Sequence, residues 1–404
     1  MSPAALTAFI IPSGTSPDNS GIHQLAAAIG SLESIIMINN IPEIEQIIAD
    51  IRQSGIAALD TEFVWQRSLR PILGVVQLAD ASGNSSLWDA RAPHKPAKAL
   101  ADLLHDTATV KILHDARQDL ELLWQYCAGF PRNIFDTRLA AGFAGYSSTT
   151  SLKNLLHDAL EIELPQEATL TDWTRRPLTA RQLEYAHSDV RYLPRLREHL
   201  LGRAAELGTD RWLAEELQTL DDPSLYPLPP PEHLWQTVKG REQLTVAGLN
   251  NLRSLAAARE QLAMQRDLPR QWIARDASLV EIAHTPPADL PELGRRRLLD
   301  RRQFDTMGPL VMQALAEAAT VPESDYPAND YRNTSAVDKT LLKEVRHFLT
   351  RRAAEIRLDP ILLGSRAEVA HFLLGHTSDA PLSSGWRWEV AGSEIARRWQ
   401  LETP

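Results

Sequence analysis

Residues 56–63 read IAALDTEF, an apolar run with small residues at Ala57 and Ala58 that ends on two carboxylates, Asp60 and Glu62. Such a run reads as a strand buried in a sheet. Side chains alternate across a strand with a period of two, so both carboxylates share one face. Ionised carboxylates held at a buried strand end cost several kcal/mol of desolvation unless something compensates them. Either the pair lies past the strand end in solvent, or it converges on a cation. Two further segments offer acidic groups in helical settings, and three such segments favour the reading as a divalent-metal site where one does not.

Composition sets bounds on the rest. The 404 residues allow two to four domains at roughly 100 to 200 residues each. Hydrophobic residues make up 44% and charged residues 23%, as in ordinary folded domains. No apolar run approaches the roughly 18 residues of a membrane helix, so no membrane partner is expected. A single cysteine, Cys127, excludes an intramolecular disulfide and a Cys-rich zinc site. No Lys or Arg precedes Arg52, so neither a secretory nor a transit leader is read there and a cytoplasmic location is expected. The net charge of -10 argues against a wholly basic nucleic-acid binder. A carboxylate-lined metal site adds negative charge of its own, however, so a local basic surface is what matters.

Outward from the central strand, residues 1–33 are rich in Ser, Pro, Gly and Ala and read as a loose arm. A short strand at Ile35–Ile38 and a helix over Ile41–Ile51 capped by Asn40 come before the central strand. Pro71–Leu78 and Ser85–Trp88 follow it as strands, and the three together make a meander. Ala97–Leu104 reads as a helix, Val110–Leu113 as a strand, Ala116–Tyr126 as a helix capped by Asp115, and Asn133–Phe135 as a short strand. Helices are expected near Thr137 and at Leu152–Leu160, and a long one from a Thr179 cap to His199. Strands mixed with helices in this way indicate an α/β layer sheet.

Residues 221–232, DDPSLYPLPPPE, read as an extended proline-dense spacer. Beyond it the strand signals stop. Helices over Leu244–Leu262, Leu290–Asp305, Lys339–Arg357 and Arg366–Leu374 make two small helical modules. The expected division is a 34–220 α/β unit, a 221–238 linker, and helical modules at 239–320 and 336–404.

Chemistry-bearing residues recur in the first unit. HDARQDLELLW places Asp119 one residue off the buried face of its helix, where it is either a surface acid or a ligand reaching into a cleft. EYAHSDVRYL places Tyr185 and Asp189 four apart on one helical face. Asp136, Asp158 and Glu121 have simpler roles as cap, turn or surface residues. Leu78, Phe63 and Trp65 are candidate wedge or base-stacking positions, although core packing explains the apolar ones equally well.

The order D-x-E, Asp, then Y-x-x-x-D resembles the DEDD exonuclease superfamily in its tyrosine-bearing branch. Within it, the flanking text resembles the ribonuclease D family: LDTEF, GVVQLAD, KILHDARQDLELLW, FDTRLAAGF and TDWTRRPLTARQLEYAHSDVRYL. The resemblance covers about residues 34–202 and implies a ribonuclease H-like α/β fold with a mixed sheet. It implies that Asp60, Glu62, Asp119 and Asp189 hold two divalent cations, Mg2+ or Mn2+, and that Tyr185 positions the attacking water. The implied reaction is 3′ to 5′ removal of nucleoside 5′-monophosphates from RNA, with tRNA precursors and small structured RNAs as substrates.

Residues 244–319 resemble, less closely, the helical HRDC module shared with RecQ helicases. The last segment is a degenerate candidate for a second one. Such modules resemble nucleic-acid binders, and Arg295, Arg296 and Arg297 offer phosphate contacts there unless they form a solvated face. The chain departs from the family pattern at Gln166 and Leu170, where many relatives carry Lys and Arg. Fewer cations there weaken phosphate contacts, for which Arg175 and Arg176 are candidate substitutes. Two alternatives stay open at this point: a DNA exonuclease of the same superfamily, and an inactive nucleic-acid-binding protein of this fold.

Overall fold

In a computed structural model, which describes residues 37–65, 67–165, 171–227, 229–327, 337–375 and 380–401, the quoted stretch is the strand β2 (Ile56–Val64). It is central in a six-stranded sheet together with β1 (Met37–Ile38), β3 (Ile72–Ala79), β4 (Ser85–Asp89), β5 (Val110–Leu113) and β6 (Ile134–Asp136), in the order β1-β4-β3-β2-β5-β6. β2, β3 and β4 form the expected antiparallel meander, and β5 and β6 join in parallel. The sequence expectations for residues 1–33, Gln166 and Leu170 lie outside the described residues.

The period-two pattern of β2 divides two cores. Ala57 and Leu59 face α1 (Ile41–Ser54), α2 (Ala97–His105) and α3 (Arg117–Cys127). Ala58 faces the opposite layer, made by α4 (Thr137–Phe143), α5 (Leu152–Leu160), α7 (Leu193–Leu207) and α8 (Asp210–Gln218). In α1 the Asn40 side chain accepts from Glu43 N at 3.0 Å, and Ile44, Ile48 and Ile51 fall on one buried stripe, as helical spacing requires.

The long helix expected over Thr179–His199 is two helices, α6 (Ala180–Arg191) and α7. Pro194 has no N–H to continue the ladder and its ring crowds the preceding turn, so the chain re-starts there. The helix expected over Leu290–Asp305 is likewise broken. Arg297 adopts φ 52° and Asp300 opens a new helix with a capping box to Gln303.

The proline-dense stretch is not a free spacer. It folds into short 3-10 turns and anchors on both sides: Tyr226 packs into the core of the α/β unit, and Trp235 and Val238 pack into the core of the first helical unit. That unit comprises α9 (Val246–Arg266), α10 (Arg270–Ile273), α11 (Asp276–His284), α12 (Leu290–Arg296) and α13 (Arg301–Ala319). It also receives Leu69, from the loop that follows β2, and Leu69 N donates to Asp267 Oδ1 at 3.1 Å.

The second helical unit contains α14 (Lys339–Glu355) and α15 (Arg366–Leu373), followed by Gly385–Arg387, a π-helical turn at Trp388–Gly392, and Ser393–Trp399. Its core is continuous with the α4, α5, α7, α8 layer. Trp386 packs edge-on to Phe143 at 5.1 Å and stacks on Trp212 at 6.2 Å. Arg387 grips Glu216 through two bonds of 2.5 and 2.7 Å, while Trp386 Nε1 donates to the same carboxylate. A planar guanidinium matches a carboxylate in this two-bond geometry.

Candidate active site

Within β2, β5 pairs only with Ile56, Ala57 and Ala58, whereas β2 runs on to Val64. From Leu59 onward, therefore, one edge of β2 is open, and the first turn of α3 comes over the short end of β5 to face it. This mismatch in strand length makes the site. Asp60 and Glu62 point to the face covered by α6, which packs on β2, β3 and β4 and carries Tyr185 and Asp189. Oxygen atoms of Asp60, Glu62 and Asp189 lie within 4.8 Å of one another.

Asp119 arrives from the other layer and is 8% exposed. It stands outside that closest trio, because the Thr61 hydroxyl, which points to the opposite face from Asp60 and Glu62, donates to its Oδ1. The sequence marked the two acids and passed over the residue between them, whose side chain connects the strand to the fourth carboxylate. Gln77 was also missed. It sits opposite Asp60 in the β2–β3 register, fully buried, and its Nε2 donates to Asp60 Oδ2 at 3.2 Å. A polar residue inside the otherwise apolar PILGVVQLA was the available signal.

Asp115, expected to cap α3, does not; it occupies the left-handed region at φ 64°. The cap comes from the neighbouring strand. Asp136 accepts from Asp115 N at 3.1 Å and Ala116 N at 2.9 Å, and from Arg138 N and Leu139 N at the start of α4. One carboxylate thus satisfies two helix N-termini, where donors are otherwise unpartnered.

α6 is fixed at its start by the Thr179–Gln182 capping box and along its length by His187, whose Nδ1 is 2.8 Å from Ser85 Oγ on β4. Burial pulls the His187 imidazole down to about 4, so it is a neutral strut. The Tyr185 ring lies 6.1 Å from the fully buried Trp173. Trp173 in turn crosses Gly74 so closely that a Cβ on Gly74 would meet the Trp173 carbonyl oxygen at 2.4 Å.

Electrostatics follow from this crowding. Burial, then the charges of Asp189 and Asp119, push the Glu62 carboxyl up to about 9. Burial, then Asp119, Asp189 and Glu62, raise Asp60 well above the usual carboxylate range. Burial also raises Asp119 to about 7, against the lowering effect of the Thr61 hydrogen bond. Like charges in a desolvated site resist ionisation together unless a cation joins them. Hard carboxylate oxygens at this spacing suit a divalent cation such as Mg2+ or Mn2+.

The arginines divide differently from expectation. Arg176 is committed: its Nε donates to Asp89 Oδ2 at 2.9 Å, and its other nitrogens reach Asp89 Oδ1 and the carbonyls of Gly74, Trp173 and Arg175. It braces the segment before α6 and is not free to take a phosphate. Arg296 donates to the Thr285 carbonyl and pairs with Glu281. Arg175, Arg295 and Arg297 are exposed. A cleft in the first helical unit is lined by Arg266, Arg275 and Arg302 beside Trp272, which is 54% exposed.

Residues 35–204 match the family model for a 3′-5′ exonuclease, and residues 249–315 match that for an HRDC domain. A ribonuclease D of Desulfotalea psychrophila is 36% identical over 358 residues, covering 87% of this chain and 95% of the relative. A ribonuclease D of Sphingobium indicum is 32% identical over 362 residues, covering 89% and 92%. Among solved structures, Escherichia coli RNase D, an exoribonuclease involved in structured RNA processing, superposes with a TM-score of 0.81 at 26% identity. That match covers 91% of this chain and 99% of the other.

Proposed function

The chain belongs to the ribonuclease D family, and on that premise we propose how its site performs metal-dependent 3′-5′ exoribonuclease chemistry. The observation that carries the reading is the convergence of Asp60, Glu62 and Asp189, with Asp119 held beside them by Thr61. These four carboxylates hold two divalent cations, Mg2+ or Mn2+. When bound, the cations supply charge stabilisation for the attacking and leaving oxygens of the phosphodiester.

The chain's own residues do the rest. Asp60 is oriented by Gln77 and Asp119 by Thr61, so the ligand oxygens are fixed before substrate arrives, which lowers the reorganisation cost of the reaction. Tyr185, one helical turn before Asp189, orients the attacking water by hydrogen bonding and need not ionise, since a phenol ordinarily titrates near 10. Burial of the cluster excludes bulk water from competing for the ligand oxygens.

The substrates are 3′ extensions of tRNA precursors and other small structured RNAs, processed in the cytoplasm, with release of nucleoside 5′-monophosphates. No helix among the described residues is long and apolar enough to cross a membrane. The units are a nuclease domain over 34–220, a linker at 221–238, and helical modules at 239–320 and 336–404. RNA upstream of the scissile end lies against Arg175, Arg295 and Arg297 and the Trp272 cleft, where an exposed aromatic face stacks bases and arginines meet phosphates.

The test uses 5′-labelled and 3′-labelled RNA and single-stranded DNA, with Mg2+, Mn2+ or chelator, for wild type and Asp60→Ala. Stepwise shortening of RNA from the 3′ end, lost in chelator and in the variant, is the expected result. Equal turnover of DNA would move the assignment to a DNA exonuclease. Tight RNA binding with no cleavage would show that the fold serves binding alone.

A further inference from the structure

Asp359 opens the segment DPILLG, where Pro360 starts a 3-10 turn and Asp359 caps it, its Oδ1 accepting from Ile361 N at 3.0 Å. The other carboxylate oxygen reaches a distant part of the chain. Oδ2 accepts from Ser148 N at 2.6 Å and from Ser148 Oγ at 2.9 Å, and the backbone N–H of Asp359 donates to the Gly142 carbonyl at 3.0 Å. The residue is 8% exposed. Next to it, Leu362 lies so close to Gly142 that a Cβ there would come within 2.6 Å of its Cδ1. The second helical unit is thus seated on α4 and on the loop that follows it.

That loop is gripped from its other side by the turn leading into α3. Arg138 Nε donates to the Ser148 carbonyl at 2.9 Å, and its Nη1 pairs with Asp115. His114 Nε2 lies 3.2 Å from the Thr150 carbonyl, and its Nδ1 lies 2.9 Å from Thr137 Oγ1. Asp115 holds φ 64°, a conformation that side-chain-bearing residues keep where tertiary contacts support it. One helical turn further along the chain is Asp119.

From this chain of contacts we propose that Asp359 is a positioning residue for the divalent-cation site: through the Ser148 loop and Arg138 it fixes the turn at Asp115, and so the first turn of α3 that presents Asp119. The inference rests on the reading of the four carboxylates as that site. It gives the second helical unit a part in assembling the nuclease centre, separate from any contact of its own with RNA. Groups that directly support a metal ligand typically change affinity 10- to 100-fold when removed. A group acting through two intermediates is expected to have a smaller effect, roughly three- to tenfold.

The test is Mn2+ binding to the full chain without RNA, followed by electron paramagnetic resonance of the free ion, for wild type, Asp359→Ala, Arg138→Ala and the double variant. Both single variants are expected to bind Mn2+ roughly three- to tenfold more weakly. The double variant should be no weaker than the worse single one, since members of one hydrogen-bond network, here joined through Ser148, are non-additive. In turnover of a short RNA, kcat at fixed Mn2+ should fall while KM holds. Ser365→Ala, which removes a helix cap wholly within the second unit, should lower the melting temperature and leave Mn2+ affinity unchanged. Should Asp359→Ala fail to fold, Asp359→Asn, which keeps one acceptor oxygen, enters the same titration and is expected to show a weaker form of the defect. Unchanged Mn2+ affinity in the Asp359 variants, or additive losses in the double variant, would overturn the proposal. Absence of Mn2+ binding by wild type would instead overturn the reading of the carboxylates on which it rests.

Discussion

Replacing Glu62 by Gln keeps the side chain's size and removes one charge from the carboxylate cluster. Glu62 ordinarily titrates at 4.5 and is pushed up to about 9 by burial and by Asp189 and Asp119. In the metal-free protein, between those values, the folded state keeps a proton that the unfolded chain has lost. The native state binds more protons, so its stability falls as pH rises. One proton corresponds to about 1.4 kcal/mol per pH unit, hence about 2 kcal/mol between pH 6.5 and 8. Other groups also titrate near this window, and they do so alike in wild type and variant. Burial lowers His187 to about 4, so most of its effect is in place by pH 6.5 and only the remaining titration of the unfolded imidazole falls in the window, and Lys111, lowered by burial to about 8, acts in the opposite sense mainly above that pH. Asp60 and Asp119 are shifted the same way as Glu62, so the difference between wild type and Glu62→Gln is what isolates Glu62. The assay is thermal unfolding in chelator at both pH values, with calorimetric enthalpies to convert the shifts. Wild type should lose stability with rising pH, the variant about 2 kcal/mol less, and Mn2+ should reverse the wild-type trend by favouring the ionised carboxylates. A wild-type melting temperature that is level or rising across the window, or a variant that falls as steeply, would refute the argument that these carboxylates repel one another in a desolvated site.

Tyr185→Phe should lower kcat by about 10²-fold, in line with the loss of a positioned hydrogen-bonding group, while Mn2+-induced thermal stabilisation stays at the wild-type level; equal loss of both would make Tyr185 structural. Thr61→Val deletes the donor to Asp119 and should weaken Mn2+ binding about tenfold, measured by titration without RNA. Arg387→Ala leaves Glu216 largely buried with Trp386 Nε1 as its remaining partner. It should destabilise the docked second unit by about 3 kcal/mol, read as a lower unfolding midpoint. Trp272→Ala should weaken binding of long single-stranded RNA by about 1–3 kcal/mol and leave turnover of a very short substrate unchanged, measured by filter binding alongside the nuclease assay.

Much of this protein was legible in its residues because the relevant signals are local. Period-two alternation put Asp60 and Glu62 on one face, i to i+4 spacing put Tyr185 and Asp189 on another, and Asn40 and Thr179 announced helix starts. Composition marked where strands cease. The proline at 194 and the turn at Arg297 could also have been read as breaks, and the apolar periodicity running across them concealed both.

What the tertiary structure decided is the part carried by contacts between residues far apart in the chain. Strand length relative to a neighbour left β2 open beyond Ala58, a property of the pair β2–β5 that neither segment shows alone. Thr61, Gln77 and Asp136 acquire their roles only when Asp119, Asp60 and the start of α3 are brought to them. Arg176 and Arg296 look like phosphate ligands by type, and the fold gives their donors to Asp89, Glu281 and backbone carbonyls. Local sequence determines which elements form and which face they bury, because those depend on neighbours within a turn or two. Which polar groups remain free for chemistry depends on what else the fold brings within hydrogen-bonding reach, and only the packed chain answers that.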